Sequence, residues 1–386
     1  MERLSKDVLK GLSQERQGPC ITLSFSTQRT AVEEKHDRIK FDNLLRKTEE
    51  HLANEGMRPT DAAELLKPAR ALLNPINDFF WQLRSKGLVL FRSPALFRFF
   101  HLPYTVPDKF FVYDHFDLRP ILRLFSGNNM FYLLALSLKG VNLYYGTSES
   151  IAAVDPVSLP DRLSRVLSSS VMQNAFPRTP SVSAAAVGRE PPVLSQERTP
   201  SDEARYKIVL YFQELRTGID ELLASERVPL LLAGTDYLNS LYQSVNTYAH
   251  LIERYIVAEP HEVTLEELHR MAWSIIEPAS EEARRIATER YRRCAGTEMT
   301  SRDIDAIVGA SFSGRIDTLF VSLDAEQLGR FDQQTGAVIR ETHTGDGVFD
   351  LFTLAAAQTF INGGTAYLLP PEKLPESGPV AALFRY

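Results

Sequence analysis

Basic and aromatic side chains alternate between Arg84 and Lys139, for example in "LFRFFHLPY" and "KFFVYDHF". Cations neutralise RNA phosphates and aromatic rings stack on bases, so this pattern predicts a surface that contacts RNA. A β-rich segment whose cations lie on its solvated face would give the same pattern, and both interpretations stay open. Against three acidic residues the segment has eight basic ones: Arg84, Lys86, Arg92, Arg98, Lys109, Arg119, Arg123 and Lys139.

Other chemistry finds little support in the sequence. The eight histidines form no His-x-x-x-His pair, and neither Cys20 nor Cys294 has a second cysteine or a histidine at metal-ligand spacing. There is no Gly-x-Ser-x-Gly elbow of a serine hydrolase. We therefore expect no metal site and no cofactor.

The bulk composition limits the partners and the location. The net charge of −6 argues against nonspecific nucleic-acid binding by the whole surface, and we expect no DNA partner. The sequence has no apolar run of the roughly 18 residues that a membrane helix needs, and its charged start does not resemble a signal peptide. Two isolated cysteines are typical of a reducing compartment, so a cytoplasmic location is expected.

The length of 386 residues predicts two or three domains, and hydrophobic periodicity predicts a mixed α/β chain. Strands are expected at "ITLSFST" and "VPLLLAG", and a hairpin at Lys139-Gly140. An amphipathic helix is predicted from apolar residues spaced by four, three, four and three: Ile208, Phe212, Leu215, Ile219 and Leu222. Near the end, Gly363 and Gly364 follow a predicted helix and precede a strand, which favours a helix C-cap over a ligand loop.

The pattern breaks down at 168–200, which is rich in Ser, Ala and Pro. Loops this long within a compact protein are uncommon, and they are usually either functional or disordered. Both interpretations stay open for this loop.

Element order and short strings resemble a known superfamily. The run from "KGLVLFRSP" through "KFFVYDHFDLRPILRLFSGNNMFYLLALSLKGVNLYYGTSES" resembles the junction of the first two domains of archaeo-eukaryotic class-1 release factors and Pelota. A long loop, an amphipathic helix and a strand ending in "LAGTD" then follow, as in their second domain. The tail "LAAAQTFINGGTAYLLPPEKLPESGPVAALFRY" is similar to the bacterial branch, the bacterial archaeo-eukaryotic release factor family (family 3-like).

The resemblance implies a three-domain, release-factor-like architecture. The expected parts are an N-terminal α/β domain (1–127), an RNase H-like middle domain (128–260) carrying the loop 168–200, and a C-terminal α/β domain (261–386). The C-terminal domain would dock on the ribosome or on a partner protein, and the implied partners are the ribosome or tRNA.

The sequence departs from the resemblance at the catalytic loop. Active release factors carry Gly-Gly-Gln there, whereas Gly188 is the only glycine between Ser150 and Thr217, and no Gly-Gly-Gln occurs in the sequence. The Asn-Ile-Lys-Ser motif of stop-codon readers is also missing. If an ester-cleaving activity on peptidyl-tRNA persists, the loop offers four polar candidates: Gln173, Asn174, Arg189 and Gln196.

Three hypotheses follow from the sequence. We favour a non-enzymatic protein that engages ribosomes or tRNA in ribosome rescue or translation regulation. The alternatives are a peptidyl-tRNA or RNA hydrolase with an atypical loop, and a stress-associated interaction scaffold.

Overall fold

The computed structural model describes residues 5–27, 34–74, 76, 78–81, 85–126, 130–148, 150–154, 202–224 and 228–386. The loop predicted at 168–200 lies outside these ranges. The chain forms two compact units: the first combines Met1–Met130, Thr147–Ser150 and Trp273–Tyr386, and the second combines Phe131–Gly146 and Ile151–Ala272. The three-domain division expected from the sequence stays a prediction.

Helices and strands both occur throughout the described ranges, and the predicted mixed α/β class is confirmed. The helices are α1 (Lys6–Gln14), α2 (Glu34–Asn54), α3 (Pro59–Ala71), α4 (Asp78–Trp81), α5 (Arg119–Phe125), α6 (Asp202–Leu223), α7 (Asp236–Val245), α8 (Leu265–Cys294), α9 (Ile304–Phe312) and α10 (Leu351–Ile361). None of these helices is both long and apolar enough to cross a membrane.

The strands form four sheets. Their bounds are β1 (Cys20–Ser26), β2 (Gly87–Arg92), β3 (Phe97–Leu102), β4 (Lys109–Tyr113), β5 (Met130–Ser137), β6 (Gly140–Thr147), β7 (Ile151–Ala153), β8 (Leu230–Gly234), β9 (Ile256–Val257), β10 (Thr300–Ser301), β11 (Ile316–Ser322), β12 (Leu328–Phe331), β13 (Val338–Arg340), β14 (Phe349–Asp350), β15 (Thr365–Leu369) and β16 (Val380–Phe384).

The N-terminal sheet of the first unit has the order β3-β2-β1-β4, and its pairs are antiparallel. Alternation along β1 directs Ile21, Leu23 and Phe25 into a core shared with α2 and α3. On the other face, Thr22 Oγ1 accepts a hydrogen bond from the backbone N–H of Asp117, at 3.0 Å. This second face therefore fixes the segment that enters α5.

The C-terminal part of the first unit is built around α10. This helix packs against α1, α5 and α9 and against strands β11 and β15, so it is buried along most of its length. Alanines at 355, 356 and 357 permit these close approaches. The sheet that it packs on has the order β10-β16-β11-β15. A small sheet of order β13-β12-β14 is formed by the chain segment between β11 and β15. The two ends of the chain thus belong to one compact unit.

The second unit holds a five-stranded sheet of order β7-β6-β5-β8-β9. Strands β5 and β8 are parallel, as are β8 and β9, whereas β6 and β7 are antiparallel. The predicted apolar face of α6, from Ile208 to Leu222, is buried in the core of this unit. The last residue of β8 must be glycine, because a Cβ at Gly234 would lie 2.6 Å from the carbonyl oxygen of Leu136.

The glycine pair after α10 is a helix C-cap, as predicted. Gly363 has φ +75°, and its N–H donates to Phe360 O, while the N–H of Gly364 donates to Thr359 O. These two bonds form a Schellman motif. The two glycines are needed for different reasons: Gly363 for its left-handed backbone, and Gly364 because an added Cβ would lie 2.7 Å from Ile316 O.

Alanine substitutions should separate these two reasons. Gly363→Ala should lower the free energy of unfolding by about 1 kcal/mol, since only the backbone preference opposes it. Gly364→Ala should lower it by roughly 2–3 kcal/mol, because the new methyl group meets backbone atoms that cannot move aside. Urea unfolding measures both, with Gly363→Asn as the control that tolerates positive φ. Equal losses for the two alanine variants would contradict this account.

Candidate functional site

A cavity of about 360 Å³ in the first unit brings together three of the predicted RNA-binding cations, Lys109, Arg119 and Arg123. Its walls come from the segment before β4, from α5, from the end of β11 and from α10. Cavities of this size are typical of small-ligand sites.

Local structure explains how the three cations reach one cavity. Lys109 begins β4, the edge strand of the N-terminal sheet. Arg119 begins α5, and Pro120 follows in the first turn, where the missing N–H of proline removes no helical bond. Arg123 lies four residues later, so both arginines lie on one side of the helix.

Arg119 is surrounded by carboxylates. Its Nη2 lies 2.8 Å from Glu326 Oε1, and its Nε lies 3.8 Å from Asp117 Oδ1 and 3.9 Å from Asp350 Oδ2. Burial lowers the pKa of Arg119, but the three carboxylates outweigh this effect and raise it above its ordinary value. The guanidinium therefore joins the N-terminal segment to the C-terminal one, and its charge is already balanced.

Asp350 is the buried member of this group, with a side chain only 5% exposed. It is the N-cap of α10, because its carboxylate accepts from the N–H of Thr353, at 3.3 Å. It also accepts from Thr353 Oγ1 at 2.6 Å and from the N–H of Gln327 at 3.0 Å. Burial raises the pKa of Asp350, and the hydrogen bonds and Arg119 offset this only in part.

Arg123 is held by an aromatic ring at the same cavity. Its guanidinium carbon lies 4.2 Å above the centre of the Tyr104 ring, a cation–π contact. The Tyr104 hydroxyl donates to Pro120 O at 2.8 Å, and burial raises the pKa of Tyr104. Arg123 and Lys109 are both exposed, so these two cations are accessible at the mouth of the cavity.

A second polar cluster lies around His115 in the same unit. Its Nδ1–H donates to Asp114 Oδ1 at 2.7 Å, and its ring centre lies 4.1 Å from that of Phe349. Asp114 also accepts from the N–H of Gly347 at 2.9 Å, and its own N–H donates to Asp346 Oδ1 at 3.0 Å. Burial lowers the pKa of His115, so a neutral imidazole is expected near pH 7. This cluster adds a second junction between the two ends of the chain.

The remaining predicted RNA-binding residues do not converge on the cavity. Arg92 Nε donates to Leu65 O at 2.6 Å, and its Nη1 donates to Leu96 O at 3.3 Å, so its side chain is used inside the unit. Lys86 precedes β2, Arg98 lies on β3, and Lys139 lies at the hairpin turn of the second unit, where it is exposed. Five predicted residues lie outside the described ranges: Arg84, Gln173, Asn174, Arg189 and Gln196.

Within the described ranges, no group of three or more His, Cys, Asp or Glu side chains is arranged to hold a metal ion. Two aspartates have other partners: Asp117 in the first unit pairs with Arg119, and Asp236 in the second unit accepts from the Tyr255 hydroxyl at 2.6 Å.

Sequence reasoning missed three residues of the cavity, Tyr104, Asp324 and Asp350, and also Glu326, which pairs with Arg119. Asp350 comes immediately before the apolar run that starts at Leu351, a position where aspartate is a typical N-cap. No local signal, however, places this helix start beside Arg119, because the two are brought together only by packing of the chain ends.

Comparison with known proteins supports the resemblance stated above. A family model described as bacterial archaeo-eukaryotic release factor family 3 matches residues 130–315, slightly less than half of the 386 residues. The predicted resemblance to this family is confirmed. The comparison with curated proteins gives no match.

Solved structures of low similarity were also found. An archaeal translation termination factor, aRF1, is 14% identical, with 99% of each chain covered and a TM-score of 0.23. The S. cerevisiae translation termination-like factor Dom34 is 10% identical, with 75% of this chain and 73% of that chain covered and a TM-score of 0.37. An archaeal Pelota, in a model described as ribosome-bound with ABCE1, is 11% identical, with 100% and 95% covered and a TM-score of 0.36. Scores this low support no argument about this chain.

Removing Arg119 tests how far the stability of the first unit depends on the charge of this side chain. Arg119→Leu leaves Asp350 buried without a cation, and should lower the free energy of unfolding by about 1–3 kcal/mol at neutral pH. The loss is held to this range because the guanidinium is 39% exposed and solvent already screens part of its interaction. Urea unfolding of both proteins at several pH values gives the difference.

The pH dependence has a definite sign. The folded-state pKa of Asp350 is raised, so its contribution to stability is full below the ordinary pKa of aspartate and is lost as pH rises through the raised value. Arg119→Leu lacks the opposing cation, so its loss of unfolding free energy relative to the wild-type protein should shrink as pH falls through the raised pKa of Asp350. Arg119→Leu/Asp350→Asn should recover stability, since asparagine keeps a capping oxygen without charge. A deficit that is independent of pH and unrelieved by the asparagine would refute this explanation.

Proposed function

We propose that this protein is a release-factor-like protein that engages ribosomes or tRNA, in ribosome rescue or translation regulation. The observation that carries the proposal is the match of residues 130–315 to bacterial archaeo-eukaryotic release factor family 3. In this proposal the protein acts in the cytoplasm, and the C-terminal region, 261–386, is available to a protein partner.

The sheet of the second unit supports the expected RNase H-like middle domain. Its strand order is β7-β6-β5-β8-β9, in which β6 and β7 are antiparallel, β8 is parallel to β5, and β9 is parallel to β8. We take this mixed sheet as support for the RNase H-like part of the proposal.

The proposal is for binding without hydrolysis. The sequence contains no Gly-Gly-Gln, and its adjacent glycine pair, Gly363 and Gly364, is followed by Thr365. Those two glycines end α10 and lead into β15, where they serve the backbone of the first unit. The glycines that hold backbone N–H groups toward a developing oxyanion in an active release factor have no counterpart in 168–200, where Gly188 stands alone.

Co-sedimentation with ribosomes tests the binding. The wild-type protein should pellet with ribosomes at low salt and be released as salt rises, because cation–phosphate contacts are weakened by counterions. Lys109→Glu/Arg123→Glu should reduce the pelleted fraction several-fold at low salt. Lys67→Glu on α3, whose side chain is 69% exposed, is the matched charge-reversal control. Absence of the wild-type protein from every ribosomal fraction, at every salt concentration, would end the proposal and favour an interaction scaffold.

Incubation with purified peptidyl-tRNA tests whether the protein hydrolyses the ester bond that holds the peptide. We expect the wild-type protein to release peptide no faster than buffer, because the loop lacks the glycine pair that forms the oxyanion site. A variant deleted from Gln173 to Gln196 serves as the comparison and should show the same background rate. Release by the wild-type protein that disappears in the deletion variant would instead establish an atypical hydrolase.

A further inference from the structure

Several polar groups on the inner wall of the cavity have partners within the protein, although Arg119 Nε donates no hydrogen bond. Arg119 is balanced by its carboxylates, the Ser24 hydroxyl donates to Pro107 O at 2.9 Å, and the Tyr104 hydroxyl donates to Pro120 O. Asp117, Ser322, Asp350 and Thr353 also line the cavity, and the apolar part of its inner wall includes the buried side chains of Leu122, Val321, Phe352 and Ala356. A ligand would therefore place an apolar or planar group inside without breaking any of these bonds.

The mouth of the cavity has a different character. Lys109, Arg123, Thr105 and Asp324 line it and are exposed. Two cations and one carboxylate give this mouth a net charge of +1. Lysine and arginine are the usual partners of phosphate oxygens. The single carboxylate disfavours a ligand with several negative charges, so a phosphodiester, which has one, fits this mouth better than a di- or triphosphate.

Arg123 adds a planar surface to this mouth. Its guanidinium lies over the Tyr104 ring, which limits the orientations that it can adopt. Unstacked bases bind to proteins by stacking on aromatic rings and on arginine planes. The same side chain can thus contact both parts of a nucleotide.

We propose that this cavity binds a single unstacked nucleotide, with its phosphate between Lys109 and Arg123 and its base directed into the apolar interior. The nucleotide is either part of a single RNA strand or free in solution. The first source deepens the proposed function and rests on it, whereas the second stands without it.

Direct binding measurements on the full-length protein test this site. The probes are nucleoside 5′-monophosphates, nucleoside triphosphates, short single-stranded RNA oligonucleotides and inorganic phosphate, each followed by titration calorimetry. We expect saturable binding of the oligonucleotides and weaker binding of the triphosphates, with no binding of inorganic phosphate because it leaves the interior unused. Monophosphates that bind as tightly as the oligonucleotides would identify a free nucleotide as the ligand.

Three variants locate the binding. Lys109→Ala should weaken it about tenfold, because a hydrogen bond to a charged group is lost. Thr105→Trp replaces an exposed residue at the mouth with a side chain large enough to block it, and should abolish binding while thermal unfolding stays unchanged. Lys67→Ala removes the same charge from an exposed site on α3 and should bind like the wild-type protein.

The inference is overturned if no nucleotide or oligonucleotide binds saturably at millimolar concentration. It is equally overturned if Lys109→Ala and Thr105→Trp bind as well as the wild-type protein, since the ligand would then occupy another surface. Failure here with intact ribosome co-sedimentation would remove the nucleotide site and leave the proposed function in place.

Discussion

The buried carboxylate of Asp350 imposes the constraint on which the first unit depends. A charge removed from water must be paired and hydrogen-bonded, and Asp350 achieves both by capping α10 and by lying beside Arg119. The Thr353 donors to its carboxylate belong to its own helix, but the cation, Arg119, comes from α5, in the N-terminal part of the chain. This requirement draws the two ends of the chain together, and Asp114 and His115 add a second junction to the segment before α10.

The same arrangement gives the two arginines at the cavity, Arg119 and Arg123, different roles. Arg119 is committed to three carboxylates, so it stabilises the inner wall and is poorly suited to bind a ligand. Arg123, one helical turn later, is exposed and held over Tyr104 instead. Two arginines of one short helix thus have opposite roles because one lies toward a carboxylate-rich wall and the other toward solvent. The basic segment found in the sequence therefore contains cations with partners inside the protein, such as Arg92 and Arg119, and exposed ones, such as Lys109 and Arg123.

Much of the local structure follows from the sequence. The amphipathic spacing from Ile208 to Leu222 identifies α6, the turn at Lys139-Gly140 identifies the hairpin of β5 and β6, and the glycines after α10 identify its C-cap. Each of these depends on residues a few positions apart, where periodicity and backbone preference act directly. The site is less accessible to such reasoning: Lys109, Arg119 and Arg123 are found by composition, but Tyr104 and Asp350 are not, since their importance comes from what they contact.

The sequence by itself therefore determined the mixed α/β class, the principal helices and strands, the resemblance to bacterial archaeo-eukaryotic release factors and the absence of Gly-Gly-Gln. Only the tertiary structure decided that the two ends of the chain share one compact unit and that a cavity lies between α5, β11 and α10. It also decided which cations are balanced and which are exposed. The physical reason is that periodicity records which face of an element is buried, whereas the identity of the neighbour depends on packing between segments far apart in the chain, as with Arg119 and Asp350.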